Sequence, residues 1–103
     1  MMRKMKQYRQ GDVFVIRVDS VPSGAVPVDG PVILAHGEAT GHAHTITSKH
    51  AKLYEAAGER FLRLSIPAVL RHQEHEPIEL PAGEYKVVRQ REYSPEAIRN
   101  VAD

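Results

Sequence analysis

Apolar residues come along this chain in short runs, and clusters of glycine and proline separate the runs. Val13-Phe14-Val15-Ile16-Arg17-Val18 follows a Gly-Asp turn and is rich in β-branched and aromatic side chains, the composition of a strand. Residues 19–31 hold Pro22, Gly24, Pro27, Gly30 and Pro31. That density of breakers predicts a loop, with a short extended piece around Val26 and Val28. Val32 to Ala35 reads as the second strand, Gly37 and Gly41 bracket a turn, and His42 to Thr47 reads as the next strand. Lys52 to Ala56, Gly58 and Phe61 to Ile66 predict a hairpin. Its second arm alternates, with Leu62, Leu64 and Ile66 on one face and Phe61, Arg63 and Ser65 on the other. Ala68 to His72 resumes after Pro67. Ile78 to Leu80 and Glu84 to Gln90, joined by Pro81-Ala82-Gly83, predict a final pairing. Ser94-Pro95-Glu96 combines a capping serine, a proline suited to the first helical position and an early acid, and so predicts a short helix from about Pro95 to Val101. The whole pattern predicts a mainly β, single-domain sandwich or small barrel with a short C-terminal helix.

Composition narrows this picture. A chain of 103 residues makes one domain. Without cysteine it has no disulfide framework, no thiolate zinc site and no cysteine nucleophile. The net charge of +1 argues against a dedicated polyanion binder, yet the charge is uneven. Arg3, Lys4, Lys6 and Arg9 stand in the first ten residues with no acid, which predicts a mobile or edge-lying basic arm over 1–10 before a β-rich domain over 11–103. The apolar run that follows the arm is too short for a secretory signal and is broken at Arg17. No stretch approaches the ~20 apolar residues of a membrane span, so the expected location is cytoplasmic.

Candidate chemistry is concentrated in histidine. Five of the six histidines fall in His36-Gly37-Glu38-Ala39-Thr40-Gly41-His42-Ala43-His44 and His72-Gln73-Glu74-His75. On a strand, His42 and His44 share a face roughly 7 Å apart, and Ile46 on the same face points that face inward. His72 and Glu74 share parity with Leu70, whereas His75 joins them only where the chain bends before Pro77. An inward imidazole without a partner is costly to bury, so the cluster needs an ion or hydrogen bonds. The two segments are therefore expected to supply His42, His44, His72 and His75 to one divalent metal. Nitrogen and oxygen donors without sulfur suit zinc, iron, nickel or manganese alike. His36 and His50 are read as lying outside the site, and Glu38 and Glu55 as solvated acids.

His42-Ala43-His44 after Gly37 resembles the first motif of the cupins, a superfamily of metal-binding β-barrels. The chain departs from that motif in having four residues between glycine and histidine rather than five, and in having Glu55 as its next acid. Taken whole, from Gly11 onward, the chain is similar to a group of short uncharacterised bacterial and phage-encoded proteins. Gly41-His42-Ala43-His44, His72-Gln73-Glu74-His75 and Arg91-Glu92-Tyr93-Ser94-Pro95-Glu96 carry that likeness, which implies a single domain and no particular activity.

Three functional classes remain open on these residues. The first is a small metal-binding β protein of unassigned process. The second is a metal-dependent hydrolase or oxygenase, with His42, His44 and His72 holding the ion and Glu74 as general base. The third is a nucleic-acid-binding module that uses Arg3, Lys4, Lys6 and Arg9 with Tyr8, joined by Arg89, Arg91 and Tyr93.

Overall fold

Two antiparallel sheets account for the described residues, 6–37 and 41–90, of the computed structural model. The larger sheet contains β1 (Gln7–Gln10), β2 (Val13–Val18), β3 (Val26–Pro27), β6 (Ala51–Ala56), β7 (Glu59–Leu64) and β10 (Gly83–Arg89), in the order β1-β2-β10-β7-β6-β3. The smaller contains β4 (Val32–His36), β5 (Ala43–Ile46), β8 (Ala68–Arg71) and β9 (Ile78–Leu80), in the order β4-β5-β8-β9. Both sheets have two open edges, so the domain is a sandwich and the expected barrel alternative is set aside. The helix expected from about Pro95 to Val101 lies outside the described residues. Among the described residues no helix is long and apolar enough to cross a membrane.

The alternation seen in the sequence fills the space between the sheets. Val13, Val15, Leu62, Leu64, Tyr85 and Val87 from the larger sheet meet Leu34, Ile46, Leu70 and Leu80 from the smaller in one buried cluster. Each fully buried aliphatic side chain contributes about 1.5–3 kcal/mol relative to exposure. Tyr85 is wholly buried and its hydroxyl donates to the Pro81 carbonyl at 2.6 Å, which satisfies its polar end. Ile66 departs from the expected inward face. Its strand ends at Leu64, and beyond that end the side chain is 45% exposed.

One further expectation changes. β9 and β10 do not pair with each other. β9 lies against β8, with Ala68 opposite Leu80, whereas β10 lies between β2 and β7. Pro81 and Ala82 therefore form a corner between the sheets, and a connection this short carries the same Gly/Pro signal whether it closes a hairpin or changes layer. The arm over 1–10, expected to be mobile or edge-lying, has its described part at a sheet edge. Its residues Gln7–Gln10 form the edge strand β1, paired with β2 from Gln7 opposite Ile16 to Gln10 opposite Val13.

These connections set up one end of the sandwich. Gln90 donates its backbone N–H to the Asp12 carbonyl at 2.6 Å, tying the end of β10 to the β1–β2 turn. Ala43 donates to Gln73 Oε1 at 2.9 Å, tying the start of β5 to the β8–β9 connection. Gly37 donates to the His42 carbonyl at 2.7 Å and closes the base of the β4–β5 connection. Asp12, Gly37, His42, His72 and His75 come together there from segments far apart in sequence.

Candidate metal centre

His44 is the fixed point of the cluster. It sits on the inward face of β5 with Ile46, as expected, and is only 1% exposed. Its Nδ1 lies 2.9 Å from Oε1 of Gln10, a side chain 2% exposed at the end of β1. The Gln10 amide is itself fixed, because its Nε2 donates to the Leu70 and Glu76 carbonyls at 2.9 Å each. The amide oxygen therefore faces His44, so Nδ1 carries the proton and, in the neutral ring, Nε2 holds the lone pair. Burial first, and then the charge of His72, lower the His44 pKa to about 4 against the opposing pull of Asp12.

The other rings gather around it. His44 and His72 have centroids 4.3 Å apart, His72 and His75 4.5 Å, and His44 and His75 6.1 Å with nearly parallel planes. His42 meets His72 edge-on at 5.5 Å. The chain does bend after His72, as the inclusion of His75 required. Glu74 is turned outward by the same bend. Its side chain is 68% exposed, with Oε2 3.6 Å from His42 Nδ1. Burial, then the neighbouring charges of His75 and His42, lower the His72 pKa. A cleft of about 470 Å³ opens over the rings and also touches Arg9 and Gln90.

Two glycines give the rings their room. A Cβ on Gly11, whose φ is +61°, would stand 2.6 Å from His75 Nε2. A Cβ on Gly37 would stand 2.9 Å from His42 Cβ and 3.1 Å from His72 Nε2. The two shortest of these, 2.6 and 2.9 Å, are shorter than real side chains tolerate without movement.

The rings gather but do not yet converge. Among the described residues, no group of three His, Asp or Glu side chains stands ready to hold an ion. The reason is local. His72 Nδ1 accepts the Glu74 backbone N–H at 3.0 Å, so its lone pair is engaged within its own turn. His75 lies parallel to His44 rather than aimed at a point shared with it.

The sequence pattern missed Asp12 and Gln10. Asp12 Oδ1 lies 3.6 Å from His44 Nε2, and Asp12 Oδ2 accepts from Arg89 Nη2 at 3.2 Å. Burial raises the Asp12 pKa, but the hydrogen bond and charge of Arg89 outweigh it, and the net shift is downward. Gly11-Asp12 was legible only as a turn, and nothing local marks the preceding glutamine as buried. His36 and His50 stay away from the four rings. His36 lines a larger cleft of about 660 Å³ with Arg60, Lys86 and Arg89. His50 is exposed between β5 and β6. Glu55 pairs with Arg60 at 3.7 Å, and Glu38 lies outside the described residues. Of the basic residues expected to contact nucleic acid, Arg3 and Lys4 lie outside the described residues and Lys6 is exposed. Arg9 donates to the Gly11 carbonyl at 2.8 Å and to Gln90 Oε1 at 3.1 Å, and lies over the Phe14 ring.

Residues 9–90 match a family described as a domain of unknown function (DUF8820), and the chain belongs to that family. No curated protein and no solved structure matches the chain. The family match covers every residue of the histidine cluster together with Gln10, Gly11 and Asp12, and stops before the expected helix. It does not extend to the cupins or to a bacterial or phage source.

Proposed function

We propose that this protein binds one divalent transition-metal ion, with His44 and His72 at the centre of the site and His42 and His75 at its margins. One observation carries the reading. A buried, tautomer-fixed imidazole sits where three other imidazoles from two distant segments crowd within 4.3–6.1 Å of a neighbour. Crowded imidazoles repel one another once protonated, whereas a shared cation stabilises all of them. Zinc, iron, nickel and manganese all accept this donor chemistry. For the ion to enter, His72 must release the Glu74 N–H and the His75 ring must turn.

The cleft over the rings supports a second reading, a metal-dependent hydrolase or oxygenase that leaves one coordination position to substrate or water. In that reading Glu74, beside His42 at the cleft wall, is the candidate base.

Elemental analysis of the untagged native chain and three variants tests the proposal. His44→Ala and His72→Ala should lose the metal, and His50→Ala should keep it. Equal metal content in all four, or none in the native chain after exposure to each ion, refutes it.

A further inference from the structure

We infer that Asp12, in the β1–β2 turn, is a carboxylate ligand of the same ion and shares it with His44, so that the site is built from three segments of the chain rather than two. The inference rests on the metal-binding reading above and adds a donor to it.

The argument begins at Gln10. Both of its amide hydrogens are taken by carbonyls, of Leu70 and Glu76, so turning the amide over would set oxygen against oxygen in a buried place. Its Oε1 thus holds the His44 proton on Nδ1 and leaves the electron pair of Nε2 pointing away from Gln10. What Nε2 meets is Asp12 Oδ1, 3.6 Å away. That is too long for a hydrogen bond. Two electron-pair donors face each other beside a ring that is 1% exposed, an arrangement that is repulsive until a cation lies between them. The separation suits a metal. Two ligands each about 2.0–2.1 Å from one ion stand about 3.6 Å apart when they subtend roughly 120° at it.

The surroundings of Asp12 fit the same role. Arg89 takes Oδ2 at 3.2 Å and leaves Oδ1 on the side of His44. A charged partner on the outer oxygen orients a ligating carboxylate in the way that such outer contacts orient metal ligands generally. The neighbours in sequence contribute as well. Gln10 fixes the tautomer of His44, and Gly11 leaves the space that the His75 ring occupies. Gln10-Gly11-Asp12 is therefore one functional turn. The cation that would compete with a metal here is a proton on His44 Nε2, which makes Asp12 only the counter-ion of an imidazolium. The experiment separates the two.

Zinc affinity and the cobalt(II) absorption spectrum are measured on the full chain for the native protein, Asp12→Asn and Asp12→Cys. Ligation predicts that Asp12→Asn weakens zinc binding by at least ~10–100-fold, the loss seen even when only an outer-shell partner is removed. It also predicts that Asp12→Cys, in a chain with no other cysteine, acquires a thiolate-to-cobalt charge-transfer band in the near ultraviolet. That band reports a position-12 side chain that reaches the ion. Its absence with cobalt bound overturns the inference. If Asp12→Cys takes up no cobalt, Asp12→Asn decides alone, and a zinc affinity equal to the native one overturns the inference. A native chain that binds neither ion overturns this inference together with the metal-binding reading. Native binding that survives Asp12→Asn unchanged overturns this inference only.

Discussion

Replacing Gln10 by leucine tests the scaffold of the site most directly. The two side chains are similar in size, so Gln10→Leu opens little cavity and isolates the loss of polar contacts. Three partners are stranded: the His44 Nδ1–H, the Leu70 carbonyl and the Glu76 carbonyl, each now bonded at 2.9 Å. A buried polar group left without a partner costs about 1–3 kcal/mol. The Glu76 carbonyl is close enough to the surface to regain water, since its bond to Gln10 is only part-buried. The expected total is therefore about 2–4 kcal/mol, a large share of the ~5–15 kcal/mol that holds a typical domain together. For a domain of this size each kcal/mol shifts the melting temperature by roughly 4–8 °C, so the variant should melt on the order of 10–25 °C lower.

A second readout follows from the same contact. With Nδ1 released, the His44 ring can turn or change tautomer, and zinc binding should weaken about 10–100-fold. Thermal unfolding followed by circular dichroism, with chelator present, gives the first quantity. Zinc titration below the variant's melting point gives the second. A Gln10→Leu protein that melts within about 3 °C of the native one, less than 1 kcal/mol is expected to produce, and binds zinc equally well refutes the reasoning.

Other expectations follow from the same geometry. Gly11→Ala drives a Cβ toward His75 Nε2 at a positive-φ position; the exposed ring can swing away, so zinc affinity should fall while the metal-free protein loses only about 1–2 kcal/mol, measured by urea unfolding. Gly37→Ala meets the Cβ of His42, which cannot swing away, and should displace the β4–β5 turn and lower stability and affinity together. The metal-free protein should lose stability in acid. His44 has its folded pKa lowered to about 4 by burial and by His72, with smaller contributions from His75 and Arg89 and against the opposing pull of Asp12, whereas an unfolded histidine titrates near 6.5. The unfolded chain therefore takes up the proton first. Stability is level above about pH 6.5, falls between 6.5 and 4, and levels again with a loss on the order of 3 kcal/mol. The lowered pKa of Asp12 adds a loss of the same sign at still lower pH. Urea unfolding with chelator at intervals from pH 7 to pH 4 checks this, and a flat profile refutes it.

The strands were legible because their chemistry is local. Val13–Val18 and Glu59–Leu64 announce themselves by β-branched content and by alternation, and the breakers between them lie where the chain turns. The inward pointing of His44 was legible for the same reason, through its shared parity with Ile46. Partnership between strands was not legible. Pro81-Ala82-Gly83 has the residues of a turn, and only the competition among β2, β7 and β8 for partners decides that β9 and β10 part company there. Parity also failed where a strand ends. Beyond Arg71 the chain no longer alternates, so Glu74 swings out and His75 swings back. The roles of Gln10 and Asp12 depend on contacts across 34 residues to His44 and 77 residues to Arg89, and no pattern within a short window records them.

The cluster divides into two parts of unequal stiffness, and on the proposed metal-binding reading that division accounts for how crowded rings without a shared centre would take up an ion. One part is held by the sheets: His44 on β5, locked by Gln10 from β1, and Asp12, braced by Arg89 from β10. The other part rides on the connection between β8 and β9, where His72 is held by a single backbone N–H and His75 stands in solvent. A stiff half sets where an ion sits and imposes little ordering cost on binding. The adaptable half would then close over it. Breaking the Glu74 N–H to His72 Nδ1 bond costs about 0.5–1.5 kcal/mol. Structural zinc in zinc-finger peptides returns on the order of 10 kcal/mol near neutral pH. The closing step is small beside what coordination supplies, so the unassembled state of the rings is compatible with tight binding. The stiff half is also the part that no single sequence motif contains, because its members come from both sheets and meet only when the two pack together.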